Sequence, residues 1–391
     1  MTAASDQPPG SPALETRAPS VLVKPVSARC NLACRYCFYR DRASDPYRGV
    51  PAGTMPRETL AALVAQHLHL SGPVAVFGWQ GGEPTLAGLD FFRQVVNFQE
   101  RYGASGQVVC NALQTNGVAL DAEWARFLAR YRFLVGVSLD GPPEVHDRWR
   151  PGHGGAPTYE RVMAGISILR RYRVETNILA VVHSANAHLA ETTLSFFHAQ
   201  GLRHLQFVPA VDRLPDGSLA AHSLAPAAYG EFLCRLFDAW YQDGRPELSI
   251  RLFDNLVGIA AGHPSEMCEL AARCDSYYVV EHNGDVYPCD FFVDRPRYLG
   301  NLLREPVTQI LKSSRRRAFA STRQTLPQGC ADCVWLTVCH GGCLRYRFAG
   351  TGSLTGANWM CEATIMLLEH AWERICTLAA AIPSHASSPP A

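Results

Sequence analysis

The sequence predicts an α/β protein: a partial (β/α)6 barrel of TIM type followed by a smaller domain organised by metal. Three observations carry this expectation. Short, nearly continuous apolar runs alternate with helical patterns over the first half of the chain, the alternation occurs six times, and beyond about residue 265 it breaks into short pieces punctuated by cysteine.

The predicted strands are Val21–Pro25, Val74–Trp79, Val108–Thr115, Phe133–Leu139, Thr176–Val182 and His204–Pro209. They are short and largely apolar, as parallel strands buried on both faces are. Helical patterns lie between them at Arg57–Leu70, Leu89–Arg101, Ala122–Tyr131, Tyr159–Tyr172 and Ala187–Gln200, with Asp121 placed to cap the third. A further amphipathic helix is predicted at Pro226–Gln242. The expected organisation is a barrel over 20–245 and a second domain over 246–375. Tails are expected at 1–19, read as disordered, and at 376–391, whose residues 383–391 share that Pro/Ser/Ala-rich composition. In a barrel of this kind chemistry gathers at the C-terminal ends of the strands.

Composition narrows the function classes. With 36 Lys+Arg against 35 Asp+Glu the chain has no strong overall field, which argues against nucleic acid or an anionic membrane as partner. Arg315-Arg316-Arg317 reads as a solvated helix face. No apolar run approaches the roughly 18 residues of a membrane span, and no secretory signal is visible, so a cytoplasmic protein is expected. Fourteen cysteines in a reducing compartment point to metal or iron–sulfur ligation rather than disulfides.

Their grouping is informative. Cys30, Cys34 and Cys37 form a C-x3-C-x2-C run just after the first strand. Iron–sulfur cubanes normally take four thiolates, so three leave one iron open for a small molecule. A closed zinc site wants four ligands in paired spacings, which this loop lacks. Eight more cysteines, at 268, 274, 289, 330, 333, 339, 343 and 361, suffice for two fully ligated clusters, with a pair of zinc knuckles as the other reading. Cys110, Cys234 and Cys376 stand alone and read as inert core thiols. The histidines show no metal-ligand spacing.

The first cysteine run, at the first strand of such a barrel, resembles radical S-adenosylmethionine (SAM) enzymes. The resemblance implies that Cys30, Cys34 and Cys37 hold a [4Fe–4S] cluster whose open iron binds SAM. Gln80-Gly81-Gly82-Glu83-Pro84 is similar to that family's GGEP motif, whose expected role is to meet the SAM amino group, with Glu83 offering a carboxylate. Ser138-Leu139-Asp140-Gly141 resembles the ribose- and carboxylate-facing segment, Leu205-Gln206-Phe207 is an expected edge for adenine, and Arg161 is a candidate for the SAM carboxylate. The later cysteines resemble a SPASM iron–sulfur domain. That likeness implies interleaved sets: Cys268, Cys274, Cys289 and Cys343 for one auxiliary [4Fe–4S] cluster, Cys330, Cys333, Cys339 and Cys361 for another.

Within that group the segments Leu22-Val-Lys-Pro-Val-Ser, Cys37-Phe-Tyr, Gln80-Gly-Gly-Glu-Pro-Thr-Leu, Leu113-Gln-Thr-Asn-Gly and Val286-Tyr-Pro-Cys-Asp290-Phe resemble anaerobic sulfatase-maturating enzymes. This implies conversion of a sulfatase Cys or Ser to Cα-formylglycine, with Asp290 as general base. It also implies Tyr39, Gln80 and Gln114 as contacts to SAM or substrate peptide. The expected partners are the sulfatase polypeptide and an electron donor such as flavodoxin or ferredoxin. Another SPASM peptide-modifying maturase, forming thioethers or cross-links, is the alternative.

Overall fold

The computed structural model describes residues 18–39, 45–49 and 53–382. Most of the expected N-terminal tail and all of 383–391 lie outside the described residues. The six predicted strands form as β1 Ser20–Val23, β2 Val74–Trp79, β3 Val108–Thr115, β4 Leu134–Ser138, β5 Thr176–Val182 and β6 His204–Pro209. The helices that return the chain are α1 Arg57–Leu70, α2 Leu89–Tyr102, α3 Ala122–Arg130, α4 Pro143–Trp149, α5 Tyr159–Arg171, α6 Ala190–Ala199 and α7 Pro226–Tyr241. Asp121 caps α3 by accepting from the amides of Glu123 and Trp124. The short α4 was not anticipated; Pro143 at its start suits the first helical turn.

The sheet extends beyond six strands on both edges. β7, Ser249–Ile250, joins β6, while β8, Tyr277–Val280, joins β1 in parallel. β9, Asp285–Tyr287, and β10, Gly300–Asn301, then add antiparallel strands, giving the order β10-β9-β8-β1-β2-β3-β4-β5-β6-β7. The sheet is a partial barrel and does not close. Its helical remainder is α8 Arg251–Ala260, α9 Val307–Leu311, α10 Ser314–Thr322, α11 Leu336–Cys339, α12 Leu344–Thr351 and α13 Cys361–Ala380. The C-terminal tail expected from residue 376 is corrected: α13 runs through Cys376 because Ile375 and Ala379 continue the buried stripe begun by Ala363, Leu367, Leu368 and Ala371.

Strand parity decides what each face does. Phe77 and Trp79 point toward the helices, where Trp79 meets Phe91 and Phe92 of α2 and donates its Nε1–H to Asn111 at 2.9 Å. Phe207 likewise meets Phe197 and Phe232. The opposite parity, Lys24, Gln80, Gln114, Ser138 and Gln206, faces away from the helices. This parity also corrects the reading of the isolated thiols. Cys110 is exposed because it lies opposite the helix-facing Asn111 and Leu113, Cys376 is exposed on the outer side of α13, and Cys234 is half-buried.

Trp79 is fully buried, and Trp79→Ala loses its ring contacts and its indole hydrogen bond. Thermal or urea unfolding is expected to show a destabilisation of about 3–5 kcal/mol; a cost below about 1 kcal/mol would contradict this packing.

Candidate active site

The loop after β1 carries Cys30, Cys34 and Cys37 and is tied down along its length. The amides of Ala33 and Arg35 donate to the carbonyls of Pro151 and Trp149, and Asn116 Nδ2 approaches Cys30 Sγ at 3.8 Å. Burial pushes the Cys30 thiol up to about 11 and Cys34 up to about 12, and the neighbouring thiols add to both shifts. Three thiols close enough to repel one another as thiolates suit a cationic cluster that relieves that repulsion.

The Gly81-Gly82 segment explains itself differently from expectation. A Cβ on Gly82 would lie 2.1 Å from the carbonyl oxygen of Arg29, and one on Gly81 2.7 Å from that of Ser27. The close approach these glycines permit is therefore to the cysteine loop itself, which also accepts hydrogen bonds from Gly82 and Glu83 amides at 2.7 and 2.8 Å. Glu83 is likewise committed to the framework. It is fully buried, and its carboxylate accepts from the Thr85 amide and hydroxyl, the Thr115 hydroxyl and the Asn116 amide. Burial pushes its carboxyl up against the pull of those bonds.

Asp140 sits behind the cysteine loop. It is 1% exposed and accepts from Arg150 at 3.0 Å, from the Val181 amide at 3.0 Å and from the Tyr36 hydroxyl. Burial alone would raise its carboxyl, but the Arg150 guanidinium and the Tyr36 hydroxyl hold it below the usual range. It therefore anchors the cysteine loop, through Tyr36, to β4 and β5. Leu205 is a correction: it shares the parity of Phe207 and is buried in the helix-side core, so Gln206 is the residue of that segment on the other face. Arg161 is exposed on α5. Ser138 accepts from Gln114 Nε2 at 3.2 Å, which puts both on one face of adjoining strands.

Asp290 lies at the centre. It is 4% exposed; Lys24 Nζ is 2.6 Å from its Oδ1, the Tyr39 hydroxyl donates to its Oδ2 at 2.6 Å, and Gln80 Nε2 is 3.5 Å from Oδ2. Glu281 stands 3.8 Å from the same ammonium, and Ser27, Asp45 and Val293 help line the adjoining cavity. Phe38 packs on Phe291 at 4.8 Å, and the Arg345 guanidinium lies 3.9 Å over the Phe291 ring. Asp290 thus joins the first cysteine loop to Cys289, whose sulfur is 3.2 Å from the Tyr277 hydroxyl. Lys24 and Glu281 were missed as site residues. The signal for Lys24 was a lysine ending an apolar strand, where a buried cation requires a counter-charge.

The eight later cysteines separate in space as two sets. Cys268 feels Cys343, Cys289 and Cys274, whereas Cys361 feels Cys330, Cys339 and Cys333. Tetrahedral zinc needs donors about 2.0–2.3 Å from one point; among the described residues no three His, Cys, Asp or Glu side chains are grouped to hold a single ion. Three buried arginines stitch the loops that carry them. Arg316 donates to the carbonyls of Cys274, Asp275 and Tyr277, Arg323 to those of Cys268, Glu269 and Cys339, and Arg347 to those of Arg323, Thr325, His340 and Gly341.

Comparison with known proteins agrees with this geometry. Residues 25–197 match the radical SAM superfamily and residues 268–334 an iron–sulfur cluster-binding domain, SPASM. The protein is a radical SAM enzyme whose cofactors are SAM and [4Fe–4S] clusters, with further iron–sulfur binding in its second domain. A serine-type anaerobic sulfatase-maturating enzyme of Bacteroides thetaiotaomicron is 34% identical over 90% of this chain and 88% of its own. A cysteine-type counterpart from Clostridium perfringens is 35% identical over 92% and 98%. The solved structure of native anSMEcpe with bound AdoMet and Cp18Cys peptide superposes with a TM-score of 0.85, at 35% identity, covering 93% of this chain and 100% of that one. The chain belongs to the anaerobic sulfatase-maturating enzymes.

Three buried histidines make the fold acid-sensitive. His67 lies between Tyr278 and the Val76 carbonyl, His146 between the Asp140 amide and Thr158, and His183 stacks on Trp149. Burial lowers each to about 4. Unfolded histidine titrates near 6.5, so below that pH the unfolded chain binds protons the folded one refuses. Stability is fully present above about pH 6.5 and falls toward pH 4, by up to about 1.4 kcal/mol per pH unit for each histidine. The urea midpoint is expected to drop between pH 6.5 and 5, and less steeply in His67→Gln; equal slopes would contradict this account.

Proposed function

We propose that this enzyme oxidises a Cys or Ser side chain of a sulfatase polypeptide to Cα-formylglycine. The observation that carries the reading is Asp290 held by Lys24 and Tyr39 between the first cysteine loop and Cys289. In this reading Cys30, Cys34 and Cys37 hold the cluster that takes SAM. Cys268, Cys274, Cys289 and Cys343 hold one auxiliary cluster, and Cys330, Cys333, Cys339 and Cys361 the other. When bound, SAM and the first cluster supply a 5′-deoxyadenosyl radical that removes hydrogen from the substrate β-carbon.

The chain's own residues do the rest. Asp290 takes the thiol or hydroxyl proton, and the Lys24 ammonium and Tyr39 hydroxyl fix its two oxygens so that it cannot swing away. Gln80 and Gln114, on neighbouring strands and the same face, are proposed to hold the substrate peptide, with Ser138 and the Gly81-Gly82 turn beside the SAM site. Phe38 and Arg345 pack on Phe291, the residue next to Asp290. No helix among the described residues is long and apolar enough to cross a membrane, and among the described residues the cysteines form no disulfide. These features support a reducing cytoplasm supplied by an electron donor such as flavodoxin or ferredoxin.

Anaerobic incubation with SAM, reductant and a sulfatase-motif peptide, read by mass spectrometry, tests the proposal. Cα-formylglycine is the expected product; an unoxidised residue carrying a new thioether or cross-link would overturn it. Cys30→Ala is expected to abolish SAM cleavage. Asp290→Asn is expected to cleave SAM while product formation falls about 10²–10⁴-fold; full product from that variant would remove Asp290 as the base.

A further inference from the structure

We propose that the outer face of α10 is the docking surface for an acidic single-electron carrier protein. The inference rests on the reading of Cys268, Cys274, Cys289 and Cys343 as iron–sulfur ligands.

The helix has two unlike faces. Inward, Arg316 and Phe319 are buried: Arg316 donates to the Cys274 carbonyl at 2.9 Å, the Cys274 amide donates to the Ala320 carbonyl at 3.3 Å, and Phe319 packs in the cluster that includes Cys274, Cys289 and Phe292. On its two flanks Arg315 and Arg317 are exposed, as is Lys312 just before the helix, whose carbonyl accepts from Arg317. Arg315 reaches the Tyr298 carbonyl, and Arg304 neighbours the same tyrosine, so the positive surface continues past the helix. The carboxylates that face Tyr298 are Asp285 and Glu305. Asp285 is already engaged by Asn283, Asn301 and Tyr47. Among the described residues none of Arg304, Lys312, Arg315 and Arg317 has a carboxylate within ion-pair distance. Leu303, 48% exposed, adds an apolar contact beside Arg304.

On a chain of net charge +1 this is a local concentration of charge, not a general one. Such a patch steers an acidic partner. A partner seated on it is separated from Cys274 by about one helix diameter, roughly 10–12 Å.

The chemistry leaves one electron that has to depart from the substrate. Oxidising the β-carbon of Cys or Ser removes two electrons and two protons. One of each leaves as the abstracted hydrogen atom, and the other proton goes to Asp290. The remaining electron reduces the oxidised carrier by one unit, and the reduced carrier returns it for the next SAM cleavage, which consumes one electron.

The test uses the cluster-loaded enzyme and an oxidised acidic [2Fe–2S] ferredoxin as probe, with affinity measured by titration at about 50 and 200 mM salt. Wild type is expected to bind at least tenfold more weakly at the higher salt. The triple variant K312E/R315E/R317E is expected to lose at least tenfold in affinity at low salt and most of the salt dependence, while dithionite-driven SAM cleavage is unchanged. The milder R315Q/R317Q pair is expected to fall between. Unaltered affinity in both variants would overturn the docking surface, as would an affinity lost on Val334→Asp, at the 81% exposed residue beside Cys333, but indifferent to α10. A wild-type enzyme that purifies without iron would instead overturn the cluster reading on which the inference stands.

Discussion

Strand β8 runs parallel to β1, Ser20 to Val23 against Tyr277 to Val280, and the active site grows out of that seam. Both strands point their C-terminal ends the same way, so the residues that follow them, Lys24 and Glu281, emerge side by side with the cysteine loop. The turn into β9 and back then delivers Cys289 and Asp290 to the same place. Without this pairing Asp290 would have no cation. A buried carboxylate and a buried ammonium are each costly alone and tolerable as a hydrogen-bonded pair. The pair therefore acts as a register mark: a slip of β8 by one residue would bury both charges uncompensated.

The second domain faces a related difficulty. Eight thiols must be brought together by short, irregular loops whose carbonyls have no helix or sheet partners. Arg316, Arg323 and Arg347 answer both needs at once. Their planar forks satisfy several carbonyls each, and their charge offsets the negative charge that thiolates bring into a buried region. None of the three forms a salt bridge with a carboxylate among the described residues, so their charge remains available to the thiols.

Much of this was legible in the sequence. The six strands and the helices between them fall within a few residues of their predicted bounds because periodicity of apolar residues is a local signal. The radical SAM and SPASM character of the two cysteine-bearing regions was legible through spacing and family likeness. What escaped depends on contacts far apart in the chain. The β8–β1 pairing joins residues some 257 positions apart, and no local pattern announces it. Glu83 and Asp140 carry motif positions, yet in the fold they accept from the protein's own donors. A motif tells which residues are constrained but not whether ligand or neighbouring loop does the constraining. Leu205 differs from expectation by a single step of strand parity, which sequence alone does not fix.

The interleaving of the two proposed ligand sets among the later cysteines has a consequence for synthesis. The first set is closed by Cys343, which lies beyond three members of the second, and the second is closed by Cys361, the opening residue of α13. Neither can be completed while the ribosome is still making the domain's middle, whereas the three-cysteine loop is available from residue 37 onward. Loading of the auxiliary centres is thereby deferred until α13 can lie against α7 and α8. On that proposal the order of cysteines along the chain sets an order of assembly, with the barrel's loop ready first and the iron–sulfur domain closed last.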